Sequence, residues 1–229
     1  MLRLSMIVKN EESRYLRPVL ESARKYITDA VIIDDASTDG TVALCKELLA
    51  NIPHRIIENK ESQFSNEWLL RQQQWDESTK DNPDWLIFLD ADEIVEDAFA
   101  EVAETYTTQT DADVISFRLY DFWNETHYRE DALWNAHSTY KAFMLRYHPD
   151  FLYQFTQTSQ HCGRMPSNIY QQPNAISQYR IKHLGWSKEE DRIAKYHRYK
   201  RLDPHGIHGS LAQYESILDE SPNLVKWVE

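Results

Sequence analysis

Trp85-Leu86-Ile87-Phe88-Leu89-Asp90-Ala91-Asp92-Glu93 is an apolar run that ends abruptly in acids. A short apolar run of this kind reads as a buried strand. Side chains alternate across a strand, so Asp90 and Asp92 point to one side while the small Ala91 turns away. In open α/β sheets, ligands bind beyond the carboxyl ends of the strands, which is where this pair falls. Two carboxylates held together in a partly buried place repel each other unless a cation neutralises them. Mg²⁺ and Mn²⁺ take oxygen ligands, and Mg²⁺ bridges carboxylates to substrate phosphates. A polar turn that merely closes a strand would read the same way, so the triplet alone does not decide between turn and metal site.

Two upstream segments repeat the pattern of an apolar run ending in polar groups. Val31-Ile32-Ile33 leads into Asp34-Asp35-Ala36-Ser37-Thr38-Asp39-Gly40-Thr41, and Leu2–Val8 leads into Lys9-Asn10-Glu11-Glu12. Asp34 and Asp35 suit hydrogen bonds from a base N–H or a ribose hydroxyl, as carboxylates do in dinucleotide folds. Ser37, Thr38 and Asp39 read as turn and cap residues before a helix. Glu11 and Glu12 fit either the ligand edge or the first turn of a helix, where the macrodipole favours acids.

Around these segments, strands expected at 2–8, 30–33, 55–57, 85–89 and 114–117 alternate with helices at about 13–26, 41–50, 66–78 and 97–106. That alternation implies parallel βαβ units and a wound α/β sheet. After Leu119 the chain becomes rich in aromatic residues, His and Asn, with strand-like pieces at 143–146 and 151–155 that can mix directions in the sheet. A charged helix follows at 187–202, and another helix is expected at 211–218. The reading is one domain over 1–229, its role changing near 119.

Composition narrows the function. With 37 acidic against 25 basic side chains, the formal net charge is −12. Nucleic-acid binding is therefore not expected, because Lys and Arg supply most of that affinity. A nucleotide bridged by a cation stays compatible, since the metal mediates between like charges. No apolar run approaches the roughly 20 residues of a membrane-spanning helix, so no transmembrane segment is expected. Cys45 and Cys162 form no metal-spacing pattern, and a reduced, cytoplasmic setting fits them, with peripheral membrane association left open. His161, Cys162, His183, His197, His205 and His208 match no structural zinc spacing. A dinucleotide-dependent dehydrogenase lacks its GxGxxG here, and a sugar nucleotidyltransferase lacks its Gly-rich loop after the first strand.

Taken in order, KNEE at 9–12, DDASTDGT at 34–41, DADE at 90–93 and His183-Leu184-Gly185-Trp186 before the charged helix resemble family 2 glycosyltransferases of the GT-A fold, in particular small bacterial-type members. The resemblance covers residues 1–118 well, the middle weakly and the segment around His183 moderately. It implies a Rossmann-like wound mixed sheet with helices on both faces, a nucleotide-sugar-binding half at 1–118 and an acceptor-side half at 119–229. It implies an inverting transfer from a nucleotide-diphosphate sugar, UDP- or dTDP-linked, to an acceptor the sequence does not name. Val8, Asn10, Glu11, Asp34, Asp35, Asp90, Ala91 and Asp92 are then donor-binding. Asp90, Asp92 and His183 hold Mn²⁺ or Mg²⁺, imidazole being a suitable Mn²⁺ ligand beside carboxylates. Arg71 matches an Arg often found before the DxD strand, where it braces the acids or reaches a phosphate.

The general base that takes the acceptor's proton is sought among Glu125, Glu130 and Asp131. Asp131 lies in Tyr128-Arg129-Glu130-Asp131-Ala132-Leu133-Trp134, a stretch like one in similar sequences, although Arg129 can equally pair with it structurally. Glu93 is the alternative, but its place beside the metal pair suits support of the site. The acidic pair that marks the base in many relatives is not recognisable, which keeps a second class open: a nucleotide-sugar or carbohydrate-binding module without turnover. Arg164 can meet an anionic group, and Lys195 or Arg198 can close over a diphosphate. Phe122, Trp123, Tyr128, Trp134, Tyr140 and Trp186 read as sugar-stacking platforms or as packing.

Overall fold

The structure is a computed structural model that describes residues 1–158, 162–207 and 209–229. Its chain order is β1 (Leu2–Val8), α1 (Leu16–Ala23), β2 (Asp29–Asp34), α2 (Thr41–Leu48), β3 (His54–Glu58), α3 (Glu67–Thr79), β4 (Trp85–Phe88), β5 (Glu93–Val95), α4 (Ala103–Thr108) and β6 (Val114–Asp121). The second half follows with β7 (His127–Arg129), β8 (Tyr140–Arg146), β9 (Asn174–His183), α5 (Glu189–Leu202), α6 (Leu211–Ser216) and β10 (Leu224–Lys226). Among the described residues, eight strands form one sheet in the order β3-β2-β1-β4-β8-β6-β9-β5, and β7 pairs with β10 in a separate ribbon.

The first four strands are parallel, as the alternation with helices requires. Register aligns their carboxyl ends: Val8 lies opposite Asp34, Asp34 opposite Glu58, and Ser5 opposite Phe88. From β4 onward the directions mix. β8 runs antiparallel to β4 and β6, β9 runs parallel to β6, and β5 runs antiparallel to β9.

Period-two alternation places helices on both faces. Leu4, Met6, Val8, Ala30 and Ile32 pack with Leu16 and Leu20 of α1 and Leu44 and Leu48 of α2. Their neighbours Ile7, Val31 and Ile33 pack on the opposite face with Leu70 of α3. The odd β1 residue Arg3 is buried on that second face. It donates to Asp29 at 2.6 and 2.8 Å, and to the carbonyls of Ser78 and Lys80 at 2.9 and 2.8 Å, tying the end of α3 to two strands.

Some elements differ from the expectation. The 97–106 helix is a 3₁₀ turn, Asp97–Glu101, followed by the short α4. Residues 151–155 are not a strand: Tyr153 and Phe155 pack on the Trp75 ring at 4.5 and 5.7 Å, so their apolar character serves an aromatic cluster. β9 is a ten-residue strand that polar composition conceals, with only Ser177 and Ile181 fully buried. The aromatic middle is largely packing: Trp134 lies 4.7 Å from Trp123 and 4.9 Å from Trp186, all three buried. Cys45 and Cys162 are free and buried. No described helix is long and apolar enough to cross a membrane.

Arg3→Ala would leave the Asp29 carboxylate and two carbonyls without their buried donor. Removing one partner of a buried pair costs about 3 kcal/mol or more, and urea denaturation should read a loss of that size. A loss under about 1 kcal/mol would contradict the tie assigned to Arg3.

Candidate active site

The parallel strand ends carry the loops expected to bind a donor. Asn10 and Ala36 have positive φ, at 53° and 59°, so each loop turns sharply just past its strand. The two loops are laced together. The Asn10 amide donates to Ser37 Oγ at 2.9 Å, and the Thr38 amide donates to Asn10 Oδ1 at 2.8 Å. Glu11 N–H donates to Thr41 Oγ1 at 2.7 Å, and Gly40 N–H donates to Glu12 Oε2 at 2.9 Å. A Cβ on Gly40 would come within 2.2 Å of Glu12 Oε1, so the lacing needs glycine for space. Ser37, Thr38 and Asp39 therefore have loop-building roles, and Asn10 joins them.

Asp35 is fully buried and accepts from Asn59 Nδ2 and the Gln63 amide at 3.2 and 2.8 Å, and from the Ser62 hydroxyl; Lys9 Nζ stands 3.8 Å away. It thus anchors the segment after β3 to the end of β2. Asp34 accepts from the Ser37 amide at 3.1 Å, while its buried Oδ1 has no hydrogen-bond partner.

Beyond β4 the acids divide. Asp90 faces Arg71 at 3.1 Å and Arg164 at 3.6 Å. Burial would raise its pKa, but the two guanidinium groups outweigh that and lower it. Arg71 thus braces the acidic end of β4. Ala91 is buried beside Asp90 and Asp92. Glu93 is buried and grips Arg164 with both oxygens at 2.6 Å, while its Oε2 also accepts from the Asp90 amide at 2.8 Å. Arg164 in turn donates to the Phe88 carbonyl at 3.1 Å, locking the strand end.

Asp92 looks toward the second half of the chain. Its Oδ2 lies 3.5 Å from His183 Nε2 and 3.9 Å from Lys195 Nζ. The other ring nitrogen, His183 Nδ1, lies 2.7 Å from Asp121 Oδ1. β9 brings His183 opposite both Glu93 and Asp121, which explains how a residue some 90 positions downstream reaches the acidic strand end. Burial would raise Asp92, yet His183, Lys195 and Arg14 together hold it well below the usual carboxylate range. Burial opposes charge on the His183 ring, but Asp92 and Asp121 on its two sides outweigh it and raise its pKa to about 10. Gly185 gives the convergence its room: a Cβ there would lie 2.2 Å from Asp92 Oδ2, 2.4 Å from Lys195 Nζ and 3.0 Å from His183 Nε2.

Helix α5 supplies Lys195 and is fastened over this edge by polar contacts, while its Tyr196 and Tyr199 pack on the buried Trp123, Trp134 and Trp186 cluster. Tyr15 Oη donates to Asp191 at 2.8 Å, Arg14 pairs with Asp191 at 3.3 Å, and Arg192 donates to the Trp123 and Trp186 carbonyls at 2.9 and 2.7 Å. Glu11 lies under the same contacts, with a buried Oε2 that has no partner.

Asp131 sits elsewhere. Its carboxylate takes Arg129 Nε at 2.6 Å and the Leu133 and Trp134 amides at 2.9 and 3.1 Å, and these partners hold its pKa down against burial. The structure brings Asp90, Asp92, Glu93, Arg71 and His183 together; it does not bring Asp131 into contact with them. Among the described residues no set of three or more His, Cys, Asp or Glu side chains forms a ready metal cage; His161 and His208 lie outside the described residues. The sequence reading missed Asp121, Arg14 and Asp191. Asp121 ends a strand, the signal that found Asp34 and Asp90, but the expected strand stopped at 117.

A wound sheet with mixed strands beyond β4, loops laced over its carboxyl edge and a DxD pair there define a GT-A type sheet. The model of glycosyl transferase family 2 matches residues 4–168, and the chain belongs to that family. His183 and Lys195 lie beyond the matched segment. S. aureus TarS aligns with this chain at a TM-score of 0.57 and 13% identity, over 95% of this chain and 42% of TarS. TarS 1–349 in complex with UDP-GlcNAc aligns at 0.51 and 14% identity, over 95% of this chain and 70% of that one. An uncharacterized protein of Mycobacterium tuberculosis and one of Mycobacterium bovis are each 25% identical over 211 residues, 88% of this chain and 50% of theirs. The chain spans about half the length of these curated relatives.

The Glu11 carboxyl yields a pH prediction. Burial, with Asp92 and Asp191 adding to it and Arg14 opposing, raises its pKa from 4.5 to about 7. The folded state then binds more protons than the unfolded state between those values, so stability falls as pH rises from 4.5 to 7. In metal-free protein, Glu11→Gln should remove this slope, its urea midpoint gaining on wild type across that window. Parallel curves would contradict the assignment.

Proposed function

We propose that the protein is a divalent-metal-dependent, inverting glycosyltransferase that takes a sugar from a nucleotide-diphosphate donor. The observation that carries this reading is the Asp92–His183 pair in the space left by Gly185, with Asp121 fixing the ring from behind. A histidine whose second nitrogen is held by a carboxylate is the usual setting of a metal-bound imidazole, and a carboxylate with an imidazole suits Mn²⁺ or Mg²⁺. Asp92 and His183 would hold the ion, with Asp90 alongside once Arg71 and Arg164 share their charge with a phosphate. When bound, the ion supplies charge stabilisation to the departing diphosphate.

The chain's own groups have separable parts. The laced loops at 9–12 and 34–41, with Val8, Asn10, Glu11, Asp34 and Asp35, form the floor for base and ribose. Asp34 Oδ1, buried without a partner, suits a donor N–H or hydroxyl. Lys195, 3.9 Å from Asp92, adds a positive charge where diphosphate charge would develop. TarS is known in complex with UDP and with UDP-GlcNAc; by analogy of fold, a UDP-sugar is the first donor to try and a dTDP-sugar the second. Asp131 is the proposed proton acceptor and Glu93 its alternative. Asp131 has the more exposed side chain, 27% against 2%, but each must first release an arginine.

The experiment is release of nucleoside diphosphate from a panel of UDP- and dTDP-sugars, with Mn²⁺ and with EDTA. The reading predicts metal-dependent release from one donor. Asp92→Asn should reduce it at least 100-fold while the protein stays folded, and Asp131→Asn should reduce sugar transfer while sparing UDP affinity. Undiminished release in Asp92→Asn would contradict the site. Metal-dependent UDP binding without turnover on any donor or acceptor would point to a binding module.

A further inference from the structure

A groove of about 630 Å³ opens on the side of Asp90 away from the nucleotide loops. Those loops lie over β1, β2 and β3. The groove instead lies against β8 and the 162–170 segment, with Arg71, Lys141, Arg164 and Tyr170 among its walls. Asp90 belongs to both places. A donor whose base lies over β1 to β3 would therefore present its sugar toward this groove, leaving the groove itself for the second substrate.

The charges of its walls differ in kind. Arg71 is matched by Asp90, with Glu67 at 3.8 Å, and Arg164 by both oxygens of Glu93. Lys141 is half-buried on β8, and among the described residues its ammonium makes no hydrogen bond or ion pair. Burial pushes its pKa below the usual lysine range. The Asp121 and Glu93 carboxylates oppose that at longer range, and Arg164 adds to it. A half-buried ammonium without a partner costs solvation that an incoming anion would restore. Tyr170 Oη accepts from the Ala142 amide at 3.1 Å, which fixes its half-exposed ring at the groove wall next to Lys141. An aromatic face beside a cation suits a sugar ring that carries an acidic group.

Resting on the glycosyltransferase reading above, we infer that this groove is the acceptor site and that its acceptor carries an anionic group, carboxylate or phosphate, bound by Lys141. The groove's other cations, Arg71 and Arg164, are committed to Asp90, Glu93 and the donor's phosphate, so selection between charged and neutral acceptors falls to this residue.

The test uses charge-matched probes and does not depend on turnover. Glucose, glucuronate and glucose 6-phosphate are titrated into the whole protein with saturating UDP and Mn²⁺, with binding followed by saturation-transfer NMR. UDP affinity is measured in parallel by calorimetry. The expected result is at least tenfold tighter binding of the two anionic sugars than of glucose. Lys141→Gln should abolish that preference and Lys141→Arg should retain it, while UDP affinity stays within twofold in both variants. Equal binding of charged and neutral sugars, or a preference that survives Lys141→Gln, would overturn the inference. So would a Lys141→Gln variant that loses UDP affinity instead, since the lysine would then serve the donor's phosphates. Absence of UDP binding in the wild type would count against the nucleotide-sugar reading, a result distinct from any outcome of the sugar titrations.

Discussion

Carboxylates crowd the carboxyl edge of this sheet, and their mutual repulsion has to be neutralised for the edge to exist. Four of them have a cation close by, Arg164 being shared by two. Asp35 has Lys9, Asp90 has Arg71 and Arg164, Glu93 has Arg164, and Asp92 has His183 with Lys195. Charges partly removed from water interact strongly, and an unpaired one would be costly. The arrangement also sets a division of labour. Asp90 and Glu93 are held by guanidinium groups, which cannot lose their charge in a protein. Asp92 is faced by an imidazole and an ammonium, groups that can yield a proton or turn toward a ligand.

That division depends on long-range topology. Arg164 and His183 come from the second half of the chain, and only the mixed part of the sheet delivers them: β9 lies between β6 and β5, so His183 faces Asp121 on one side and Glu93 on the other. The laced loops of the first half cover the parallel strand ends, and α5 is strapped across the edge through Asp191 and Arg192. None of the α5 residues is fully buried. Its position rests on polar contacts at the site's rim together with Tyr196 and Tyr199 packed on the Trp cluster.

The first half was legible because its signals are local. Apolar runs of strand length end in acids, and glycine and polar turn residues follow, so Asp34, Asp35, Asp90 and Asp92 fell on the correct edge. Helices on both faces were implied by the resemblance, and the packing of Leu4 and Met6 opposite Ile7 shows them. The second half was less legible, because β9 has a polar surface and only two fully buried residues, and its register lies in pairing that a sequence does not display. Asp121 was passed over because the expected strand stopped at 117, short of the end of β6, and the aromatic pieces at 151–155 mimicked a strand while filling the space around Trp75. Lys195 was seen as a residue that can close over a diphosphate, but its approach to Asp92 needed the turn at Gly185.

Asp92 and His183 are proposed to form one metal-binding locus completed by a nucleotide diphosphate. Side-chain ¹H–¹⁵N spectra of the nine histidines, recorded while substoichiometric Mn²⁺ is added with and without UDP, address it directly. Paramagnetic broadening confined to His183 and strengthened by UDP is the predicted result. Uniform broadening of all the histidines, or a His183 signal indifferent to Mn²⁺ in the presence of UDP, would contradict the account.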